Sequence, residues 1–274
     1  MKLTRINVNG EVTLARVEGS EFVILPFGSF QELLDQRQWR AAAQTEGPRL
    51  AFDKGLLTRL LEPAQIFCVG LNYKGHILET GRPTPEFPTL FAKFSSALTG
   101  PYSEIPYSTE SNEVDWEVEL GVVIAVPARN VSVEKALDYV AGYTVVNDIS
   151  MRDWQRRTPQ LFQGKNFQAS TPVGPWLVTP DEIDHARDLR IRCSIDGEKM
   201  QDGRTSDLLF SSAELISYIS RFTTLLPGDL ILTGTPSGVG MAMEPKRFLQ
   251  PGEILTSEIE GIGMISNMFA TTQK

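Results

Sequence analysis

Three carboxylates in the middle of the chain have the spacing of a metal site. Glu117 and Glu119 stand two residues apart in a segment that alternates with strand period, so both side chains leave the same face. Asp148 ends the apolar run 143–147, and a carboxylate at the end of a buried run needs a cation or hydrogen-bond donors. Oxygen ligands of this kind suit hard cations, so the pattern favours Mg²⁺, Mn²⁺ or Ca²⁺. The alternative is that Asp115, Glu117 and Glu119 lie on the solvent-exposed face of an edge strand.

A histidine and a carboxylate could supply the base of such a site. The chain has two histidines, and His185 lies in the polar stretch 181–188, which reads as a solvated loop. His76 follows an apolar strand, and on a helical turn Glu79 at i+3 would share its face. A carboxylate there orients the ring, fixes its tautomer and raises its basicity, as activation of water requires. The alternative is an ordinary exposed His–Glu pair.

Cationic and polar side chains follow the third carboxylate. Arg152 and Gln155 come soon after Asp148, and a guanidinium with an amide suits a substrate that carries carboxylate or enolate oxygens. Lys165 follows in the same region. Arg82, in the loop 81–87, would meet a second substrate carboxylate if that loop closes over the site.

The stretch 233–240 is a glycine-rich turn that contains Thr235. It lacks the Lys-Ser/Thr pair of a phosphate-binding P-loop, and the chain shows no dinucleotide-binding fingerprint. The pattern instead indicates backbone N–H groups and the Thr235 hydroxyl presented to an anionic intermediate.

Composition predicts an ordinary globular protein and excludes some partners. The chain has 274 residues, 41% hydrophobic and 22% charged, with a formal net charge of -8, which argues against nucleic acid or an anionic membrane as the main partner. No apolar run approaches the ~20 residues of a membrane span, and residues 1–10 lack a signal-peptide core. Cys68 and Cys193 lie far apart in short apolar segments, which predicts buried free thiols and a cytoplasmic location.

The elements that must position these residues are mostly short strands. Asn9-Gly10 is a hairpin signal between strands at 3–8 and 13–17, followed by a strand at 22–25 and helices at 30–44 and 54–61. Glu62-Pro63 marks a boundary, so we predict a small N-terminal α/β domain, 1–62, and a catalytic domain, 63–274. Many short β-type runs follow, and Ser211 to Glu214 is a capping box that opens a helix. The predicted class is α+β and β-dominated.

From about residue 66 to residue 267 the chain resembles the fumarylacetoacetate hydrolase (FAH) superfamily. The motifs that carry the resemblance are 70–73 with His76 and Glu79, 115–120, 147–150 with Arg152, Asp153 and Gln155, 164–165, 174–176, 227–229, and 233–236 with 238–240. The resemblance implies a mixed β-roll or sandwich catalytic domain that forms a homodimer, usually with a small N-terminal domain. Many members continue the Gly-Lys motif to Phe-Asp, whereas this chain has Phe167-Gln168.

The resemblance also implies roles for the residues singled out above. Mg²⁺, Mn²⁺ or Ca²⁺ would be held by Glu117, Glu119 and Asp148, and His76 with Glu79 would activate water. Residues at positions that contact substrate or stabilise an oxyanion are Arg152, Gln155, Lys165 and Thr235.

The resulting hypothesis is hydrolysis of a carbon–carbon bond in an acylpyruvate-like 1,3-diketo acid. The metal would chelate a small anionic 2-oxo acid or its enolate, and His76 with Glu79 would activate water. Lys165, with Thr235, would stabilise the tetrahedral oxyanion. The same scaffold could instead run tautomerisation, decarboxylation of oxaloacetate-like acids or isomerisation of 2-oxo-diene dioates. The His–Glu pair favours hydrolysis, since simple tautomerisation needs no activated water. A catalytically silent metal-binding protein is disfavoured by the cationic side chains around the carboxylates.

Overall fold

The computed structural model describes residues 1–36 and 38–270, and strands dominate it. The strands are β1 (Lys2–Val8), β2 (Glu11–Glu18), β3 (Glu21–Ile24), β4 (Arg49–Ala51), β5 (Ile66–Gly70), β6 (Thr89–Ala92), β7 (Leu98–Thr99), β8 (Val114–Asp115), β9 (Val118–Ile124), β10 (Val140–Asn147), β11 (Ser150–Met151), β12 (Thr171–Val178), β13 (Arg190–Ile195), β14 (Glu198–Arg204), β15 (Leu230–Leu232), β16 (Ile254–Ile259) and β17 (Gly263–Met268). The α-helices are α1 (Phe30–Leu34), α2 (Trp39–Ala42), α3 (Lys74–Thr80), α4 (Val133–Ala136), α5 (Arg152–Gln155), α6 (Phe162–Lys165) and α7 (Ser212–Ser220). Short 3₁₀ helices lie at Lys54–Leu56, Ser95–Ala97, Leu137–Tyr139, Pro180–Glu182, Asp184–Ala186, Thr205–Asp207 and Gly240–Ala242. The prediction of a β-dominated α+β protein is confirmed.

Most strands join one large mixed sheet. Within the described residues its order is β4-β3-β2-β1-β12-β10-β9-β15-β5-β6, and β7 pairs with β12 off this path. β9 is therefore an interior strand, antiparallel to β10 on one side and to β15 on the other. Asn147 pairs with Val118, and the Thr233 N–H donates to the Leu120 carbonyl. Four parts of the chain therefore lie together at one end of these strands: the start of β9, the end of β10, and the loops that follow β5 and β15.

The N-terminal strands extend the same sheet. β1 pairs antiparallel with β2 and also with β12. Asn9 and Gly10 both have positive φ, at 54° and 93°, as a two-residue hairpin turn that matches strand twist requires, so the predicted hairpin is confirmed. The domain boundary near residue 62 stays a prediction.

Two helix predictions in this region were wrong. The segment 30–44 does not form one helix, because α1 ends at Leu34 and α2 begins at Trp39. In 54–61 only one 3₁₀ turn forms, after which Leu57 bridges to Ile6 and the Thr58 N–H donates to the Arg5 carbonyl of β1. Burial of leucines against the sheet overrides the local helical pattern there. The pairing of β4 with β3 was not predicted.

A second sheet, in the order β14-β13-β16-β17, packs on the large one. The main apolar core includes Leu120 and Tyr143 from the large sheet, Ile191 and Ile265 from the second, and Trp116 from the segment just before β9. Helix α7 adds its apolar face to this core, and the Ser211 capping box that was predicted at its start is present. Core residues such as Trp116, Val118 and Leu120 thus alternate along the chain with Glu117 and Glu119.

Both cysteines are buried free thiols, as predicted. Cys68 lies on β5 and Cys193 on β13, and burial raises the pKa of both thiols. Across residues 1–36 and 38–270, every helix is too short or too polar to cross a membrane.

Candidate active site

The three predicted metal ligands lie together at the end of the strands where β9 begins and β10 ends. Glu117 precedes β9, Glu119 lies within it, and Asp148 follows β10, which the register brings alongside. One carboxylate oxygen from each lies within 4.8 Å of the others. The three residues are 6%, 2% and 0% exposed. The alternative that residues 115–119 form the solvent-exposed face of an edge strand is therefore wrong.

Two lysines contact this group. Lys165 Nζ donates to Glu117 Oε2 at 2.5 Å and to Asp148 Oδ2 at 2.7 Å. Lys93 Nζ donates to Asp148 Oδ1 at 2.5 Å. The ring of Phe91 lies 5.1 Å from the Lys165 ammonium. The ammonium of Lys165 is thus fixed by the site's own carboxylates, while Gln168, the departure from the family motif, is exposed.

Arg152 forms the other cationic wall. Its Nη1 lies 2.7 Å from Glu117 Oε1, and its Nε donates to Asp115 Oδ2 at 2.8 Å. Its Nη1 also donates to Gln155 Oε1 at 3.0 Å, which orients that amide. Its Nη2 is buried and finds no hydrogen-bond partner among the described residues. A buried guanidinium N–H without a partner is a position for an anionic oxygen.

The carboxylates differ in their electrostatic surroundings. Burial opposes ionisation of Glu117, but the charges of Arg152 and Lys165 lower its pKa to about 2. Burial, and then the charges of Asp148 and Glu117, raise the pKa of Glu119 well above its ordinary value. Glu119 accepts a 2.6 Å hydrogen bond from the Gly234 N–H, and no cationic side chain of the described chain forms an ion pair with it.

This donor set fits a divalent cation. Four carboxyl groups are buried here, and the three cationic side chains pair with Asp115, Glu117 and Asp148 but, within the described residues, not with Glu119. Three of the four converge, all through oxygen, as hard cations prefer. Each carboxylate has about four lone-pair positions, so oxygens that already accept from lysine can also bind an ion.

The predicted base lies on α3. His76 Nδ1 is 2.7 Å from Glu79 Oε1, and Glu79 Oε2 accepts from the Gly238 N–H at 2.8 Å. His76 is 7% exposed, and its ring lies close enough to Glu117 that a positive charge on it would lower the pKa of that carboxyl. His76 is therefore buried near Glu117 and Glu79 is half-buried, so the exposed-pair alternative is wrong. The contact to Glu79 assigns the proton to Nδ1 and leaves Nε2 as the base.

The glycine-rich loop plays a different part from the one predicted. Its N–H groups at Gly234, Gly238 and Gly240 donate to Glu119, Glu79 and Asp115. They hold carboxylates of the protein and are not directed at an intermediate. A Cβ at Gly238 would stand 2.1 Å from the Met200 carbonyl oxygen, so only glycine fits this approach.

Two residues predicted to bind substrate, Thr235 and Arg82, make no contact with the three carboxylates among the described hydrogen bonds and ion pairs. The Thr235 hydroxyl donates to the Val118 carbonyl at 2.9 Å and accepts from Gln201 at 2.7 Å, so its hydrogen is already used. Arg82 is exposed, and none of its contacts places it at the carboxylates. Substrate roles for both residues stay predictions.

Sequence reasoning missed Lys93 and the function of Asp115. Asp115 accepts from the N–H groups of Trp116, Gly240 and Met241 and from Arg152, so it joins the acidic motif to the glycine-rich loop. Lys93 ends the apolar strand β6, just as Asp148 ends β10. The residues of β6 are half-buried or exposed, so the local sequence gives no signal that this lysine has a buried partner.

Gly164 sets how closely the Lys165 turn approaches α5. A Cβ at Gly164 would lie 2.4 Å from both the Gln155 nitrogen and the Met151 carbonyl oxygen. Gly164→Ala should therefore destabilise the fold by about 1–3 kcal/mol or more, and lower turnover by displacing Lys165. Denaturant unfolding would measure the loss. Gly28→Ala is the matched control, since its Cβ would meet only the Glu32 carboxylate at 3.7 Å; equal effects of the two changes would contradict this account.

The mixed sheet, a buried acidic group that could hold a metal ion and the adjacent His–Glu pair are the features that the FAH resemblance implies. The chain belongs to the fumarylacetoacetate (FAA) hydrolase C-terminal family, whose pattern matches residues 65–270.

Its relatives in this family are enzymes. The chain is 45% identical over 213 residues to the mitochondrial oxaloacetate tautomerase FAHD2A of Bos taurus, covering 77% of this chain and 68% of that one. The fumarylacetoacetate hydrolase of Exiguobacterium antarcticum superposes with a TM-score of 0.89 at 31% identity, covering 99% of this chain and 100% of that one. The fumarylpyruvate hydrolase of Pseudomonas aeruginosa, solved with Mn²⁺ and pyruvate, gives a TM-score of 0.70 at 32% identity, covering 78% and 92%.

Proposed function

We propose that this protein is a divalent-cation-dependent tautomerase of oxaloacetate-like 2-oxo acids. The observation that carries the proposal is the convergence of Glu117, Glu119 and Asp148 near the buried His76, which contacts Glu79. The 45% identity to an oxaloacetate tautomerase over 77% of the chain supports the choice of reaction.

The cation of choice is Mg²⁺ or Mn²⁺, with Ca²⁺ as the third option. Glu117, Glu119 and Asp148 would hold it, and it would supply Lewis-acid stabilisation of negative charge on the 2-oxo oxygen. The solved relative with Mn²⁺ and pyruvate supports this class of ion and ligand.

His76 is the proton-transfer group in this proposal. Glu79 holds the Nδ1–H at 2.7 Å, so Nε2 is free to remove a proton from C3 of the substrate and to return it to the enol oxygen. Glu79 is itself fixed by the Gly238 N–H, which keeps the imidazole in one orientation.

Cationic side chains of the protein would bind the acid. Arg152 Nη2 is the buried donor without a partner and would take a substrate carboxylate oxygen. An ammonium has three donors, and Lys165 uses two on Glu117 and Asp148, so one is left for a developing oxyanion. Gln155, oriented by Arg152, lies beside them.

Hydrolysis of an acylpyruvate-like carbon–carbon bond is the second candidate. The observation that favours it is again the His–Glu pair, since a base that removes a carbon-bound proton is also able to activate water. The His–Glu pair is therefore compatible with both reactions. We rank tautomerisation first because of the 45% sequence identity to an oxaloacetate tautomerase.

An activity panel would test this proposal. With Mg²⁺ or Mn²⁺, we expect fast keto–enol conversion of oxaloacetate, followed by ultraviolet absorbance of the enol, and little cleavage of acylpyruvates. Removal of the ion with EDTA should abolish the conversion, and its return should restore it. Cleavage of acylpyruvates without tautomerisation would favour the second candidate. Tight ion binding without any turnover would indicate a catalytically silent metal-binding protein.

The homodimer implied by the family resemblance also remains a proposal, which light scattering would test.

A further inference from the structure

Lys93 is a fully buried cation at the end of an edge strand. It follows β6, which pairs only with β5 among the strands of the described chain. Its side chain is 0% exposed, and its Nζ lies 2.5 Å from Asp148 Oδ1, on a carboxylate that is also 0% exposed. Removing an ammonium from water is unfavourable unless it is well paired, so burial of Lys93 depends on its contact with Asp148.

The two oxygens of Asp148 are held by two different ammonium groups. Lys93 takes Oδ1, and Lys165 takes Oδ2 while also reaching Glu117. Lys93 therefore serves Asp148 alone among the described carboxylates, whereas Lys165 bridges two of them. The same strand supplies the Phe91 ring beside Lys165, so β6 supports both lysines.

We propose that Lys93 is a positioning residue that fixes Asp148 and balances its charge while the site holds no ion. This inference rests on the proposed divalent-cation site. Charges of like sign on one carboxylate repel each other, so Lys93 must also weaken binding of the ion. Its presence makes the fold independent of the ion and keeps the ion exchangeable, at some loss of affinity.

The test uses Lys93→Met, which keeps the length of the side chain and removes its charge. In EDTA its Tm should fall below that of the wild type, because Asp148 loses a buried partner. Saturating Mn²⁺ should then raise its Tm by more than it raises that of the wild type, and the Kd for Mn²⁺ from calorimetry should tighten roughly tenfold. A merely structural lysine would lower Tm equally with and without the ion. Lys135→Met, at an exposed lysine on α4, is the control and should change neither quantity.

A second variant covers the case in which Lys93→Met does not fold in EDTA. The double change Lys93→Met with Asp148→Asn removes both charges of this pair, while Lys165 keeps Glu117 as its partner, so it should recover much of the stability lost by the single change. Failure of this recovery would overturn the inference.

The wild type separates the two proposals. If Mn²⁺ neither binds nor shifts its Tm, the proposed cation site is wrong. If the wild type responds but Lys93→Met responds no more strongly and binds no more tightly, only the role of Lys93 is wrong.

Discussion

His76→Ala should lower kcat by about 10²–10⁴-fold, the usual contribution of a positioned acid–base group. The change removes the imidazole that Glu79 orients at 2.7 Å but none of the converging carboxylates. The Kd for Mn²⁺ and the Tm should therefore stay close to those of the wild type. Steady-state kinetics with oxaloacetate, together with calorimetric titration of the ion, would check both statements.

The second histidine provides the matched control for this experiment. His185 lies in a 3₁₀ turn with one ring nitrogen 3.2 Å from the Tyr143 hydroxyl, and its contacts are not with the acidic group. His185→Ala should leave kcat unchanged. Full turnover by His76→Ala, or an equal loss in both variants, would remove His76 from the reaction.

Glu119→Gln should have opposite effects on activity and on stability in EDTA. It removes a carboxylate whose pKa is raised by burial and by the charges of Asp148 and Glu117, so the ion-free protein should become more stable. Ion-dependent turnover should fall about 10³-fold, since Lewis-acid stabilisation is worth several kcal/mol and each factor of ten corresponds to about 1.4 kcal/mol. Thermal unfolding in EDTA and activity across a range of Mn²⁺ concentrations would measure the two effects.

An exposed glutamate is the control for this change. Glu110→Gln removes the same charge at the surface and should affect neither Mn²⁺ dependence nor Tm. Wild-type affinity for Mn²⁺ and wild-type turnover in Glu119→Gln would mean that the carboxylates do not hold the ion.

The acidic group was predictable because strand geometry is periodic. Alternation placed Glu117 and Glu119 on one face, and the apolar run before Asp148 indicated a buried neighbour. The register of β10 against β9 brings these carboxylates together, as that reasoning requires. The turn signal at Asn9-Gly10 and the capping box at Ser211 were local patterns with local causes, and both appear where predicted.

The features that were missed depend on contacts between distant parts of the chain. A lysine after a short strand such as β6 normally reaches water, and only the sheet order brings Lys93 to Asp148. The donors of the glycine-rich loop were assigned to a ligand because the sequence does not show that three protein carboxylates come within reach. The segment 54–61 has a helical pattern, but it forms only the 3₁₀ turn Lys54–Leu56 before Leu57 bridges to Ile6 of β1.

The pairing of β1 with β12 has a consequence for biosynthesis. Lys2 pairs with Val178, so β1 leaves the ribosome long before the strand that completes its hydrogen bonding. Until then the hairpin exposes an open edge, which is where nascent chains associate wrongly with one another. Because contacts over such long sequence separations slow folding, we expect the catalytic centre to assemble late, after translation of most of the chain.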